Sequence, residues 1–133
     1  MKYNDEGYLD LTPYEALKNV EVERRRYRPL VYICSPYAGD TEKHTAAAVR
    51  FCRYAFKAGC IPIAPHIYFP QFVDEVTERS DALFMGNVLL TKCMELWAFG
   101  DKISSGMEME IAYAKRKGKP VRYFTEDFTE VFP

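Results

Sequence analysis

Glu110 is a carboxylate that its own helix holds toward an apolar face. Ser105 followed by Glu108 forms a capping-box pair, so we predict a helix that is capped by Ser105. On a helical wheel, Glu110 borders the apolar stripe of this helix, whereas Glu108 points away. The stripe comprises Met107, Ile111 and Ala114. Burial of a carboxylate is costly unless it is paired. Glu110 is therefore either a satisfied structural carboxylate or a functional one, and the wheel leaves both open.

A second polar segment, residues 35–41, reads Ser-Pro-Tyr-Ala-Gly-Asp-Thr and follows an apolar run. It carries neither the GxGxxG dinucleotide pattern nor the GxxxxGK[ST] phosphate loop. Ser35 is suited to contact a sugar or phosphate, aided by the helix start that follows. The alternative is a turn hydroxyl that binds nothing.

The elements that position these residues alternate between short apolar runs and helical patterns. Runs suited to buried strands lie at residues 30–34, 60–64, 96–99 and 120–124. Helical patterns lie between them, at about 45–57, 71–94 and 105–117, with an aromatic loop at 65–70. The pattern over 71–94 is either one helix or one broken near Ser80. This spacing is typical of βαβ units, and Pro62 favours an edge position for the second strand.

We therefore predict a small Rossmann-like or flavodoxin-like α/β fold with three layers. It should contain four to five mostly parallel strands in the order 2-1-3-4, with helices on both faces. That order has its switch point between strands one and three, where ligands bind beyond the carboxyl ends. The loops 35–40 and 100–106 should line the site.

The first residues form a separate segment. Thr12-Pro13-Tyr14-Glu15 has the form of a capping box with proline at the first helical position, which predicts a helix to about Arg26. We expect an N-terminal helical extension over residues 1–28 and one α/β domain over residues 29–133.

Composition sets limits on the class of protein. The chain has 133 residues, 48% hydrophobic and 28% charged, with a net charge of −1. This charge gives no electrostatic case for binding a nucleic acid polymer or an anionic membrane. No apolar stretch approaches the roughly 20 residues of a membrane span. The four cysteines are too widely spaced for a zinc motif, so we expect buried free thiols and a cytoplasmic protein.

Two motifs resemble the nucleoside 2-deoxyribosyltransferase-like superfamily, which includes the 2′-deoxynucleoside 5′-phosphate N-hydrolases. The first is Val-Tyr-Ile-Cys-Ser-Pro-Tyr at residues 31–37. The second is Ser-Gly-Met-Glu-Met-Glu-Ile-Ala-Tyr-Ala at residues 105–114, followed by Gly-Lys-Pro-Val at 118–121. The order and spacing fit across about residues 29–124. The stretch Pro-His-Ile-Tyr-Phe-Pro at residues 65–70 resembles an uncharacterised bacterial and phage branch.

This resemblance implies three catalytic roles. Glu110 matches the nucleophile that attacks the anomeric carbon and displaces the base. Tyr32 matches a tyrosine that orients this glutamate, although it could also be an aromatic packed in the sheet. Asp101 lies near a loop aspartate that contacts or protonates the leaving base, or it is a turn residue after Gly100.

The resemblance also implies a substrate-binding set. Ser35 and Ser105 match positions that bind sugar or a 5′-phosphate, and their motif neighbours extend this set. These neighbours are Pro36, Tyr37, Gly106 and Met107. His66 could contact substrate or phosphate, or be a packed residue. The aromatic residues of the same loop could stack on a base or serve the core or a subunit contact.

The function implied is cleavage of an N-glycosidic bond, or deoxyribosyl transfer, on a nucleoside or nucleoside 5′-monophosphate. Neither an organic cofactor nor a metal is expected, and homo-oligomers are common in the superfamily. One alternative is a binding or sensing module with the same fold but no chemistry. Another is a structural oligomer whose crevice is filled by side chains.

Overall fold

A five-stranded sheet in the order β2-β1-β3-β4-β5 forms the centre of the protein. The computed structural model describes residues 12–15, 17–18 and 27–133. The strands are β1 (Leu30–Cys34), β2 (Ile61–Ile63), β3 (Glu95–Phe99), β4 (Val121–Phe124) and β5 (Glu130–Val131). The first four run parallel, and β5 pairs antiparallel to β4. The predicted α/β class and the order 2-1-3-4 are confirmed.

The two central strands are buried on both faces. Alternate residues of β1 and β3 point to opposite sides, as the pleat requires. Tyr32 and Cys34 enter one core cluster, whereas Val31 and Ile33 enter the other. In β3, Leu96 and Ala98 share the first cluster, with Trp97 and Phe99 in the second. This double burial explains why both strands read as uninterrupted apolar runs.

Helices cover both faces and make three layers. On one side lies α1 (Thr41–Lys57), which contributes Phe51 and Ala55. On the other side lie α3 (Arg79–Lys92) and α4 (Ser105–Arg116). The Asp40 side chain caps α1 by accepting a hydrogen bond from the Lys43 amide. The α3 and α4 layer faces Tyr32 and therefore carries the candidate site.

The segment between β2 and α3 differs from the prediction. Residues 65–70, expected as a loop, form the short helix α2 (Pro65–Tyr68) and begin a 3₁₀ turn at Phe69–Gln71. Pro65 is the first residue of α2 and Pro70 the second residue of the 3₁₀ turn, and proline is tolerated in the first turn of a helix. The helical pattern over 71–94 forms a helix only from Arg79, beside the break allowed near Ser80. Before it, the Asp74 carboxylate accepts the amides of Val76 and Thr77 and so forms a turn.

The N-terminal capping box is confirmed in the described residues. The Thr12 hydroxyl accepts the Glu15 amide, and the Glu15 carboxylate accepts the Thr12 amide. Residue 16 and residues 19–26 of the predicted helix lie outside the described part of the chain, so its extent stays a prediction. The division at residue 28 stays one as well.

All four cysteines are free thiols, as expected. Cys34, Cys60 and Cys93 are buried, whereas Cys52 is only half-buried, which differs from the expectation for that residue. No helix among the described residues is both long enough and apolar enough to cross a membrane.

Candidate active site

A cavity of about 640 Å³ opens between α3 and α4 beside the carboxyl end of β1. Residues after β1, from α2 and from both helices form its wall. The volume lies within the roughly 300–1,000 Å³ of small-molecule sites. The position is the topological switch point between β1 and β3, where the strand order predicted a ligand site.

Glu110 lines this cavity and contacts β1 directly. The Tyr32 hydroxyl donates a hydrogen bond to Oε2 of the Glu110 carboxylate. Tyr32 is 3% exposed, so the sheet fixes the position of this donor. Glu110 is held over β1 because it follows Met107 by one helical turn, and Met107 is buried against the same face. The structure thus places the two residues together, and their catalytic roles remain predictions.

Burial dominates the electrostatics of this pair. Desolvation raises the pKa of Glu110 from its ordinary value of 4.5 to about 6, although hydrogen bonds from Tyr32 and Cys34 oppose the rise. Burial and the adjacent Glu110 carboxylate raise the pKa of Tyr32 well above its usual range. At neutral pH, Tyr32 therefore keeps its proton and donates a hydrogen bond, and Glu110 is mostly ionised. An ionised carboxylate that faces a cavity can act as a nucleophile.

Cys34 is a further neighbour of Glu110 that the sequence analysis did not single out. Its thiol lies 3.7 Å from Oε1 of Glu110 and 3.9 Å from the Met107 carbonyl oxygen. Burial and the Glu110 carboxylate raise the pKa of Cys34 well above its usual range, so the thiol keeps its proton. The signal was present in the sequence, because Cys34 is two residues after Tyr32 and must share its face of the strand.

The N-terminus of α4 begins one residue earlier than predicted. Ser104, not Ser105, is the N-cap, and its hydroxyl accepts a hydrogen bond from the Met107 amide at 3.3 Å. Ser105 is the first helical residue and is exposed. The error arose because two serines in succession offer alternative caps, and Glu108 favoured the later one. Ser104, Ser105, Gly106 and Met107 all line the cavity.

Ser35 and His66 form the second polar pair of the cavity. The Ser35 hydroxyl and Nε2 of His66 share a hydrogen bond of 2.9 Å. Burial lowers the pKa of His66 to about 4, so the imidazole is neutral at pH 7. Ser35 is itself buried, and α2 brings His66 onto it across 31 residues of sequence. This pair is a neutral hydrogen-bonding surface suited to a hydroxyl or an anion.

The loop after β1 completes one side of the site. Pro36 and Tyr37 line the cavity, as predicted. The rings of Tyr37 and His66 meet edge to face, with their centroids 6.3 Å apart. The backbone carbonyl oxygen of Tyr37 accepts a hydrogen bond from Nδ1 of His44 at 3.0 Å. Desolvation and the nearby Glu75 carboxylate raise the pKa of Tyr37. Glu75 also lines the cavity, and it lies in the turn that replaced the predicted helix.

Asp101 is not brought to the site. It is exposed in the loop between β3 and α4, and it does not line the cavity. Within this loop, the cavity lining begins only at Ser104, and residues 100–103 are not part of it. Among the described residues, Glu75 is the other carboxylate that lines the cavity with Glu110. No sequence pattern indicated this position for Glu75, because the turn around Asp74 brings it to the cavity.

Two arginines and one glycine also line the cavity. Arg79 lies at the start of α3, and Arg116 lies two turns after Glu110 on α4. Arg50 and Arg53 are exposed positions of α1 and do not line the cavity. Gly86 faces the site, because a Cβ added there would lie 3.5 Å from the Tyr32 hydroxyl oxygen.

The aromatic residues of the 65–72 segment divide between two surfaces. Phe69 lines the cavity. Tyr68 and Phe72 are 62% and 56% exposed, and their ring centroids lie 4.9 Å apart. A base could therefore meet Phe69 but not the other two. Among the described residues, no group of three His, Cys, Asp or Glu side chains is placed to hold a metal ion.

The comparisons with known proteins identify the fold and a family. The solved structures that share this fold include two 2-deoxyribosyltransferases. The enzyme of the psychrotolerant bacterium Bacillus psychrosaccharolyticus is 19% identical with a TM-score of 0.56, over 78% of this chain and 77% of its own. The Leishmania mexicana enzyme is 16% identical with a TM-score of 0.56, over 73% of this chain and 64% of its own.

Sequence comparison identifies the family to which the chain belongs. No curated protein sequence matches it significantly. The model of a domain of unknown function, DUF7768, matches residues 29–124, which include every cavity residue named above. The chain thus has a nucleoside 2-deoxyribosyltransferase-like fold and belongs to the DUF7768 family.

Proposed function

We propose that this protein cleaves the N-glycosidic bond of a deoxynucleoside or its 5′-monophosphate, or transfers the deoxyribosyl group. The observation that carries the proposal is the half-buried Glu110 carboxylate, held by the Tyr32 hydroxyl at the wall of a cavity. The fold shared with 2-deoxyribosyltransferases supports the same reaction class.

In the proposed first step, a Glu110 oxygen attacks the anomeric carbon. A carbon–oxygen bond forms as the carbon–nitrogen bond breaks, and the base departs with the bonding electron pair and takes up a proton. In the second step, water or a second base attacks the same carbon and loses a proton, which restores the one taken up by the first base, and the carbon–oxygen bond breaks to release the Glu110 carboxylate. Water gives hydrolysis, and a second base gives exchange. Tyr32 orients the nucleophile in both steps.

Glu75 is our candidate for the acid that protonates the leaving base. The resemblance implied Asp101 in this role, but that residue lies outside the cavity, whereas Glu75 lines it. An acid improves the leaving group because the neutral base departs more readily than its anion. Tyr37, beside Glu75, positions that carboxylate in this proposal.

The remaining lining residues favour a substrate that carries an anion. Arg79 and Arg116 supply positive charge, and guanidinium groups bind phosphate oxygens in a bidentate manner. The Ser35 and His66 pair adds neutral hydrogen-bonding groups. We therefore place a nucleoside 5′-monophosphate ahead of the free nucleoside.

The proposal is tested by incubating the purified protein with deoxynucleosides and their 5′-monophosphates, with and without a free acceptor base. Chromatography follows base release and exchange. Glu110→Gln should abolish both, whereas Glu108→Gln, an exposed change in the same helix, should preserve them. Turnover that survives in the Glu110 variant would overturn the proposal.

One observation favours a second candidate, a nucleotide-binding module without catalysis. The loop aspartate that the resemblance assigns to the leaving group is exposed outside the cavity. A module of this kind would show nucleotide-dependent thermal stabilisation and no base release. It would also tolerate Glu110→Gln with its ligand affinity unchanged.

A homo-oligomer also forms part of the proposal. An apolar groove lies beside edge strand β2, and several of its residues are exposed, including Tyr68 (62%) and Phe84 (70%). Patches of this kind commonly lie in subunit contacts. Light scattering coupled to size-exclusion chromatography measures the mass in solution, and a monomeric mass would contradict this part of the proposal.

A further inference from the structure

Two donors on one strand face meet the two oxygens of one carboxylate. The Tyr32 hydroxyl contacts Oε2 of Glu110, and the Cys34 thiol lies 3.7 Å from Oε1. Both donors belong to β1, two residues apart, so the pleat presents them side by side. A carboxylate held at one oxygen can still rotate about its terminal torsion, which is broad in most side chains. A second donor removes that freedom.

We propose that Cys34 is a positioning residue whose thiol proton holds Oε1 while Tyr32 holds Oε2, so that the two fix the carboxylate plane of Glu110. The catalytic relevance of this arrangement rests on the proposed function, whereas the contact itself does not. Cys34 is fully buried and does not line the cavity, so it acts through Glu110 and not on a substrate.

Two hydrogen-bond acceptors lie within reach of the Cys34 thiol. Besides Oε1, the Met107 carbonyl oxygen lies 3.9 Å from Sγ. That carbonyl belongs to the first turn of α4, where the Ile111 amide is its partner in the regular α-helical pattern, and a carbonyl oxygen can accept a second hydrogen bond. The thiol proton can therefore move toward Oε1 when Glu110 is ionised and toward the carbonyl when it is not. A thiol is a weak donor, so it can orient the carboxylate without strongly reducing its basicity.

Other groups near Glu110 could also influence its ionisation. The remaining titratable or charged side chains that line the same cavity are Tyr37, His66, Glu75, Arg79, Tyr113 and Arg116. None of these six side chains hydrogen-bonds to Glu110, whereas Tyr32 and Cys34 both do. The test must therefore separate loss of the thiol contact from a general change of environment.

The first measurement is a carboxyl ¹³C NMR titration of Glu110 in the full-length protein. Cys34→Ala should raise the titration midpoint by about 0.5 pH units, because the ionised form loses a donor. Cys93→Ala is the matched control, since it deletes a buried thiol from the same core cluster without removing a donor to Glu110. An equal shift in both variants, or none in Cys34→Ala, would overturn the proposal.

The second measurement observes the thiol itself. The S–H stretching band of Cys34, assigned by its loss in Cys34→Ala, should move to lower wavenumber as the pH rises through the ionisation of Glu110. The band should not move in Glu110→Gln. A thiol that merely fills space gives a band independent of pH, and this outcome would also overturn the proposal. Both measurements hold whether or not turnover is found, so failure of the enzyme hypothesis remains distinguishable.

Discussion

Replacement of Glu110 by glutamine should stabilise the protein at neutral and alkaline pH. The native carboxyl is buried enough that its pKa rises from 4.5 to about 6, so the folded state binds its proton more tightly than the unfolded state does. Ionisation of a group with a raised folded pKa destabilises the fold. Glutamine keeps the shape and can accept the Tyr32 hydrogen bond, but it has no charge to desolvate.

The magnitude follows from the two pKa values. Below pH 4.5 the carboxyl is protonated in both states, and the penalty is absent. As the pH rises from 4.5 to 6, the unfolded state loses its proton first and the penalty grows. Above about pH 7 it is complete and corresponds to about 2 kcal/mol of unfolding free energy. The free energy of unfolding of Glu110→Gln should therefore exceed that of the wild type by about 2 kcal/mol at pH 8 and equal it near pH 4.

Urea unfolding between pH 4 and pH 8 measures this difference. Trp97 is the only tryptophan and is 3% exposed in the core, so its fluorescence reports loss of the fold. The free energy of unfolding is obtained by linear extrapolation for wild type and variant at each pH. The quantity of interest is their difference, because it cancels the pH dependence of other groups.

Glu108→Gln serves as the control for this experiment. It lies in the same helix but is exposed, and a carboxylate in the first turn favours the helix dipole. Removal of this charge in Glu108→Gln should lower the free energy of unfolding by a few tenths of a kcal/mol, whereas Glu110→Gln should raise it. The reasoning is refuted if Glu110→Gln is less stable than wild type at pH 8. It is also refuted if the difference stays constant between pH 4 and pH 8.

Three other changes test separate features of the site. Ser104→Ala should lower the free energy of unfolding by about 1 kcal/mol, whereas Ser105→Ala should change it by only a few tenths of a kcal/mol. Equal losses for the two variants in urea unfolding would contradict the assignment of Ser104 as the N-cap. Gly86→Ala should raise the free energy of unfolding by about 0.5–1 kcal/mol, because alanine favours a helix interior. Gly86→Leu should instead abolish nucleotide-induced thermal stabilisation, because the larger side chain fills the space beside the site. Glu75→Gln should lower kcat/KM for base release by about a hundredfold, whereas Asp101→Asn should leave it nearly unchanged, and the reverse result would return the acid role to Asp101.

The strand order was predictable because its causes are local. Continuous apolar runs at residues 30–34 and 96–99 need burial on both faces, and Pro62 cannot donate a hydrogen bond to a central ladder. Parallel strands joined by helices then have few possible arrangements. The turn at Asp74 was not predictable in the same way. A single carboxylate that accepts two amides ends the helical pattern there, although the neighbouring residues would tolerate a helix.

The sequence by itself determined which face of α4 carries Glu110, because helical periodicity is a local property. It also determined that Tyr32 and Cys34 share one face of β1, because side chains alternate along a strand. Only the tertiary structure decided that these faces meet, across 78 residues from Tyr32 to Glu110. It also decided that Glu75 enters the cavity and Asp101 does not. Such placements depend on how loops leave the sheet, and the loop residues alone do not specify those paths.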